Sequence, residues 1–141
     1  MAMPLPDDVK QLVDGPNFAH LATLMPDGSP QSAPVWVTRE DDRILVGTGE
    51  GSLKARNTRR DPRVALSIVD VTNPYVEAQL RGRVVERRSD PAFVVKDQTA
   101  RKYTGKPFPW RNPDGVTLVI EVDRVKFARL PFVHAPGGRT G

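Results

Sequence analysis

The run from Arg43 to Arg63, RILVGTGEGSLKARNTRRDPR, carries the residues best suited to chemistry. A short apolar strand (Ile44, Leu45, Val46) leads into Gly47, Thr48, Gly49, Glu50, Gly51 and Ser52. A short helix is expected to open there, carrying Lys54, Arg56, Asn57, Arg59 and Arg60, and Pro62 stops it. Glycines at a strand-to-helix turn let backbone N–H groups approach a ligand closely. The first turn of a helix has free N–H donors and the positive end of a dipole, so it attracts anions. Lys54, Asn57 and Thr58 share one helix face at spacings of three and four. Together these parts make a site for a phosphate group. The plainer alternative is a solvated basic helix. The spacing fits neither the G-x-x-x-x-G-K-[ST] phosphate loop nor a dinucleotide fingerprint, since no parallel βαβ unit surrounds it.

Other residue types offer less. The two histidines, His20 and His134, stand outside any acid–histidine–nucleophile pattern or H-E-x-x-H motif, so neither a hydrolytic triad nor a catalytic metal is expected. His20 sits on a strand with apolar neighbours and reads as a packed structural histidine. With no cysteines, disulfides, thiolate metal sites and a cysteine nucleophile are excluded, which suits a cytoplasmic chain. Trp36 shares a strand face with Ser32 and Pro34, and reads as core. Trp110-Arg111, between Pro109 and Pro113, reads either as core or as a rigid aromatic that stacks on a flat ligand or a partner subunit.

The elements that must position these residues follow from periodicity. Leu5 to Val13 reads as a helix with Leu5, Val9, Leu12 and Val13 on one face, ended by Gly15-Pro16. Phe18 to Leu24 alternates as a strand, and Pro26-Asp27-Gly28-Ser29-Pro30 turns it into the next strand, Gln31 to Arg39. Pro34 cannot donate to a ladder and belongs at an edge or bulge. Arg63 to Asp70 and Tyr75 to Val85 continue the alternation, with Val76, Ala78, Leu80 and Val84 inside and Gly82 marking a bend. Ser89-Asp90-Pro91 is expected to open a helix with proline at its first position. Lys106 to Gly115 is a proline-rich loop, and Val116 to Phe127 a last strand. Six strands at close spacing with short peripheral helices predict a mainly β, antiparallel barrel. One domain over residues 1–135 and a loose tail over 136–141 are expected.

Charge and hydropathy narrow the partners. The net charge is +4, yet five of the 21 Lys and Arg residues cluster between Lys54 and Arg63, with Asp61 the only acid among them. Positive charge focused at one turn argues against nucleic acid, which is met by a stripe. No segment approaches the ~18 apolar residues of a membrane span, and MAMPLPDDVK lacks the layout of a secretory signal.

The order of these pieces resembles the split β-barrel flavin-binding family that includes pyridoxamine 5′-phosphate oxidase, and within it the deazaflavin-dependent reductases of actinobacteria that use coenzyme F420. The matching stretches are FAHLATLMPDGSPQSAPVWV, ILVGTGEGSLKARNTRRDPRVALSIVD and LRGRVVE. The resemblance implies a homodimer with two cofactor sites at its interface. It implies that Ser32, Ala33, Pro34, Val35 and Trp36 lie along the ring system, and that Thr48, Ser52 and Lys54 meet the ribityl chain and phosphate. Asn57 and Arg60 would continue toward the tail, and Gln79, Trp110 and Arg111 would come from the partner subunit. The Arg-rich run suits F420, whose phosphate and poly-glutamate tail carry more negative charge than FMN. The implied activity is hydride transfer from reduced F420 to a small organic acceptor. The alternatives are an FMN-dependent enzyme of the pyridoxamine 5′-phosphate oxidase type and a carrier of flavin, deazaflavin or haem without turnover. Basic and histidine residues that would hold a substrate phosphate near the chain's end have no counterpart here.

Overall fold

The computed structural model describes residues 2–137. Its elements, in chain order, are α1 (Asp7–Asp14), β1 (Ala19–Leu24), β2 (Pro30–Val35), β3 (Thr38–Glu40), β4 (Arg43–Gly49), α2 (Leu53–Arg60), β5 (Arg63–Asp70), β6 (Asn73–Ser89), α3 (Val94–Thr104) and β7 (Gly115–Arg129). The strands form one antiparallel sheet in the order β2-β1-β5-β6-β7-β4-β3. The end of the expected tail, Gly138 to Gly141, lies outside the described residues.

The sheet has seven strands, not the expected six. The single strand expected over Gln31 to Arg39 is cut at Trp36 and Val37 into β2 and β3. These two pieces lie at opposite edges of the sheet. The barrel is therefore drawn together by two residues of chain rather than by a closing ladder of hydrogen bonds. The crossing leaves the Val37 amide and carbonyl without strand partners, and α3 supplies them. The Val37 N–H donates to the Tyr103 hydroxyl at 3.1 Å, and the Lys102 ammonium donates to the Val37 carbonyl. Pro34 sits on edge strand β2, where its missing N–H breaks no ladder on the far side.

The turn chemistry holds as read. Gly28 takes a φ of 85°, and the Ser29 N–H donates to the Asp27 carboxylate at 3.0 Å, fixing the β1–β2 hairpin. Gly82 marks a break in the β6–β7 register, and a Cβ there would lie 2.0 Å from the Glu121 carbonyl oxygen. Only glycine allows the two long strands to approach so closely while curling.

Inside the barrel, Leu21, Ile44, Val46, Leu66, Ile68, Leu80, Leu118 and Ile120 form the core, and Leu5 with Val9, Leu12 and Val13 of α1 packs against it. Each such side chain contributes about 1.5–3 kcal/mol on burial. A second buried layer, Leu45 and Val119 with Phe93 and Ala100, lies apart from that cluster. The burial of every β7 residue from Gly115 to Ile120 marks where the sheet is covered on both faces.

Helix α3 begins later than expected. Pro91 precedes it, and Phe93, at φ 58° and ψ 30°, occupies the N-cap. The Asp90 carboxylate still serves as the helix's acceptor, receiving the N–H groups of Val95 and Lys96 at 3.4 and 3.1 Å. The acid is where the sequence put it; the chain makes a left-handed detour before the helix starts.

Candidate functional site

Helix α2 opens as the sequence implied. Ser52 is its N-cap and its hydroxyl accepts the Ala55 N–H at 3.2 Å. The Thr48 hydroxyl donates to the same oxygen at 2.8 Å, tying the end of β4 to the cap. The first turn contains no acid, so nothing in it neutralises the positive end of the helix.

The glycines behave differently from expectation. Gly47 and Gly49 lie within β4 rather than in the strand-to-helix turn. They pair within the sheet with Thr117 and Gly115 of β7. The space a side chain would fill is taken by other residues: Lys96 Cγ lies 3.3 Å from a Cβ at Gly47, and the Asp114 carboxylate 3.1 Å from one at Gly49. Only Gly51 faces open space. The glycines give a flat floor on which α3 and the loop before β7 lay their polar side chains.

Beside this floor is an aromatic cleft. Two adjoining hollows of about 310 and 460 Å³ share Trp36, Gly47, Phe108 and Trp110. Trp36 is half-buried, stacked on Tyr103 with centroids 5.2 Å apart and planes 7° off parallel. Phe108 meets Trp36 edge-on at 6.4 Å and Trp110 at 5.4 Å. Trp36 is thus a wall held by the crossover and α3, not core. Trp110 is 67% exposed, which excludes a core role for it as well. Arg111 beside it is held by the Asp97 carboxylate at 3.1 Å and lies over the Phe93 ring at 4.7 Å.

Lys54 enters the cleft with Pro34, Val35 and Trp36. Burial alone holds its ammonium below the ordinary lysine value, with no acid to offset the loss of water. Of the other cations of α2, Arg56 is exposed and Arg59 and Arg60 are engaged. Arg59 pairs with Glu50, which also meets Arg87 at 3.6 Å. Arg60 donates to the Leu24 carbonyl and, at 3.0 Å, to the Asn57 side-chain oxygen. Asn57, 1% exposed, turns inward and donates to the Thr23 hydroxyl at 3.0 Å. Asn57 and Thr58 are therefore buried while Lys54 is half-buried: the shared helix face is a packing face with one cation at its rim.

A larger hollow, about 720 Å³, is elsewhere, on the outer face of β2, β1, β5, β6 and β7. Register places Pro34, His20, Ser67, Gln79 and Lys126 in one row, and Ser32, Ala22, Ala65, Arg81 and Arg124 in the next. His20 is exposed on this face, not packed as expected, because β1 turns Ala19, Leu21 and Thr23 inward instead. The period-2 pattern offers two alternative faces, and the structure buries the one opposite His20. Arg81 and Arg124, directly opposite each other, form no ion pair among the described residues. This groove went unread in the sequence. Its signal was the run of small residues at alternate positions of three strands.

Of the expected site residues, Pro34, Val35, Trp36, Thr48, Lys54 and Trp110 line the cleft. Ser32 and Gln79 line the groove. Ser52 caps the helix, and Asn57 and Arg60 anchor it to β1. Ala33 pairs with Leu21 in the β1–β2 ladder. Arg111 lies behind Trp110, bound to α3 through Asp97.

Comparison with known proteins agrees with this architecture. Residues 5–129 match the family model described as pyridoxamine 5′-phosphate oxidase, and the chain belongs to that split-barrel family. Among solved structures it is similar to an F420 reductase, at 27% identity and a TM-score of 0.79, covering 86% of this chain and 98% of that one. It shares its fold with a conserved hypothetical protein from Mycobacterium tuberculosis, at 24% identity and a TM-score of 0.72, over 97% of this chain and 95% of the other. General Stress Protein 26 from Bacillus anthracis has the fold too, at 20% identity and a TM-score of 0.66, over 88% and 97%. Among the described residues no helix is long and apolar enough to cross a membrane.

Proposed function

We propose that the chain is an F420-dependent oxidoreductase that acts on a small organic molecule as a homodimer in the cytoplasm. The observation that carries the reading is Lys54: a half-buried cation without an acid, at the rim of an aromatic cleft, beside a helix start that has no acid either. An ammonium desolvated without compensation is relieved by an anion, and a phosphate accepts from it while accepting helix N–H groups. The cleft walls supply flat apolar surface for a ring system. The likeness to an F420 reductase supports the deazaflavin over FMN.

When bound, the reduced deazaflavin supplies the hydride. The chain's residues do the rest. Lys54 and the first turn of α2 hold the phosphate. Thr48 and Ser52 keep that turn closed against β4. Pro34, Val35 and Trp36 flank the ring, and Phe108 and Trp110 shield it from water. Arg56, exposed on α2, and Arg60, through the donors it has left, face the acidic tail.

The dimer rests on the groove. Its floor of small residues offers a second copy a close approach, and Gln79 is exposed there and available to the neighbouring site.

Titration of the apo-protein with F420 and with FMN tests the reading. F420 is expected to bind roughly tenfold more tightly, through two or three exposed contacts to its tail. Tighter FMN binding moves the chain to the FMN-dependent class; tight F420 binding with no turnover across a panel of acceptors makes it a carrier.

A further inference from the structure

Lys54 marks one end of the cleft. The other end contains a second lysine for which the cofactor reading has no use. Lys96 projects from α3 across the glycine floor. Its stem passes 3.3 Å from the Cβ position of Gly47, and its ammonium lies 3.1 Å from that of Gly115. The ammonium sits 5.4 Å from the Phe108 ring centre and 5.8 Å from that of Phe93. It forms no ion pair among the described residues, and the two acids at the start of α3 are used elsewhere. Asp90 accepts backbone N–H groups at the start of α3, and Asp97 holds Arg111 and the Phe108 N–H.

A carboxylate faces it across the floor. Gly49 and Gly115 are register partners, and the Asp114 carboxylate lies 3.1 Å from the Gly49 Cβ position. Directly opposed residues in an antiparallel pair have Cβ atoms about 5 Å apart. The ammonium and the carboxylate thus stand over two adjacent glycine positions without pairing. On the same face, opposite Gly47, the fully buried Thr117 hydroxyl has no hydrogen-bond partner among the described residues. Trp36, Phe108 and Trp110 wall the space above. Two opposite charges left apart over a bare floor, between aromatic walls, are matched by a flat molecule with complementary edges.

We propose that this end of the cleft is the substrate seat. It takes a small planar molecule whose anionic or carbonyl oxygen is held by Lys96 and whose opposite edge donates an N–H or O–H to Asp114: a hydroxyaryl carboxylate or a ring lactam. The role of this seat in turnover rests on the proposed cofactor site; its binding chemistry stands on Lys96, Asp114 and the glycine floor.

The chain has two tryptophans, Trp36 and Trp110, and both line the cleft. Their indole N–H signals in ¹⁵N spectra of the apo-protein therefore read occupancy directly. The probes are 4-hydroxybenzoate and its neutral match, 4-hydroxybenzamide. The carboxylate is expected to shift both indole signals and to bind about tenfold more tightly than the amide, as for one charge-assisted hydrogen bond. Lys96→Met erases that preference, whereas Lys54→Met keeps it, with dispersed spectra confirming that both variants fold. F420 affinity of Lys96→Met stays within about twofold of the parent. Unmoved indole signals, equal binding of the two probes, or a preference lost in Lys54→Met but kept in Lys96→Met overturns the proposal. So does a Lys96→Met variant that loses F420 as severely as Lys54→Met, which makes Lys96 a cofactor residue. If the parent binds 4-hydroxybenzoate as described but not F420, the seat stands and the cofactor reading falls.

Discussion

The cleft and the groove flank the same edge strand, yet they are built by opposite means. The cleft has large aromatic walls and a cation placed singly at each end. The groove has a floor of Ala and Ser residues and its cations crowded on one side. A walled slot can enclose a flat ligand within one copy of the chain. A shallow trough cannot enclose anything until a second surface covers it. On the proposed reading, the cleft recognises the ring and a second copy over the groove completes the site.

That comparison can be broken at several points. The largest effect is expected at Gly82, where the β6–β7 register breaks behind the groove. In Gly82→Ala the added methyl meets the Glu121 carbonyl oxygen 2.0 Å away, and the backbones must separate. A loss of roughly 3 kcal/mol in urea unfolding is expected; an unchanged midpoint contradicts the close approach. Next is Ser67→Trp, which plants a large ring on the exposed floor of the groove without touching the core. Sedimentation should show a folded monomer, with dimer affinity weakened about a hundredfold, or roughly 2.7 kcal/mol. A dimer that survives it puts the interface elsewhere.

On the cleft side, Lys54→Ala should weaken F420 binding by about 1–3 kcal/mol in a calorimetric titration, with stability little changed. Unchanged affinity removes Lys54 from the site. The smallest effect concerns the crossover that holds Trp36. Lys102 donates to the carbonyls of Val13 and Val37, and burial pulls its ammonium down to about 8 from an ordinary 10.5. The folded chain then releases this proton before the unfolded chain does. Between pH 8 and about 10 the unfolded state binds more protons, so this lysine's contribution to stability rises with pH. Relative to Lys102→Met, the parent's urea midpoint should climb across that window. A flat difference argues that the lysine is better solvated than its contacts imply.

Much of this was legible in the sequence, for identifiable reasons. Local rules gave α1, the Asp27-Gly28 hairpin, the opening of α2 after the glycine turn and the inward face of β6, because each depends on neighbours a few residues apart. The break at Trp36 and Val37 was not legible. It depends on bonds from Lys102 and Tyr103, more than sixty residues away along the chain. The glycines at 47 and 49 misled for a related reason. Glycine marks a place where something approaches closely, but not what approaches. The expected visitor was a ligand; the observed ones are Lys96 and Asp114. Asn57 followed the same pattern: its helix position was right, but whether that face met solvent or Thr23 was decided by packing of α2 on β1.

The central claim is that Lys54 and the first turn of α2 hold the phosphate of a deazaflavin whose ring lies against Pro34 to Trp36. A crystal of the protein grown with F420 tests it most directly. The account predicts density for the phosphate within hydrogen-bond distance of the Lys54 ammonium and the helix N–H groups, with the ring between Trp36 and the edge strand. A phosphate bound at any other place, with Lys54 left facing water, contradicts it.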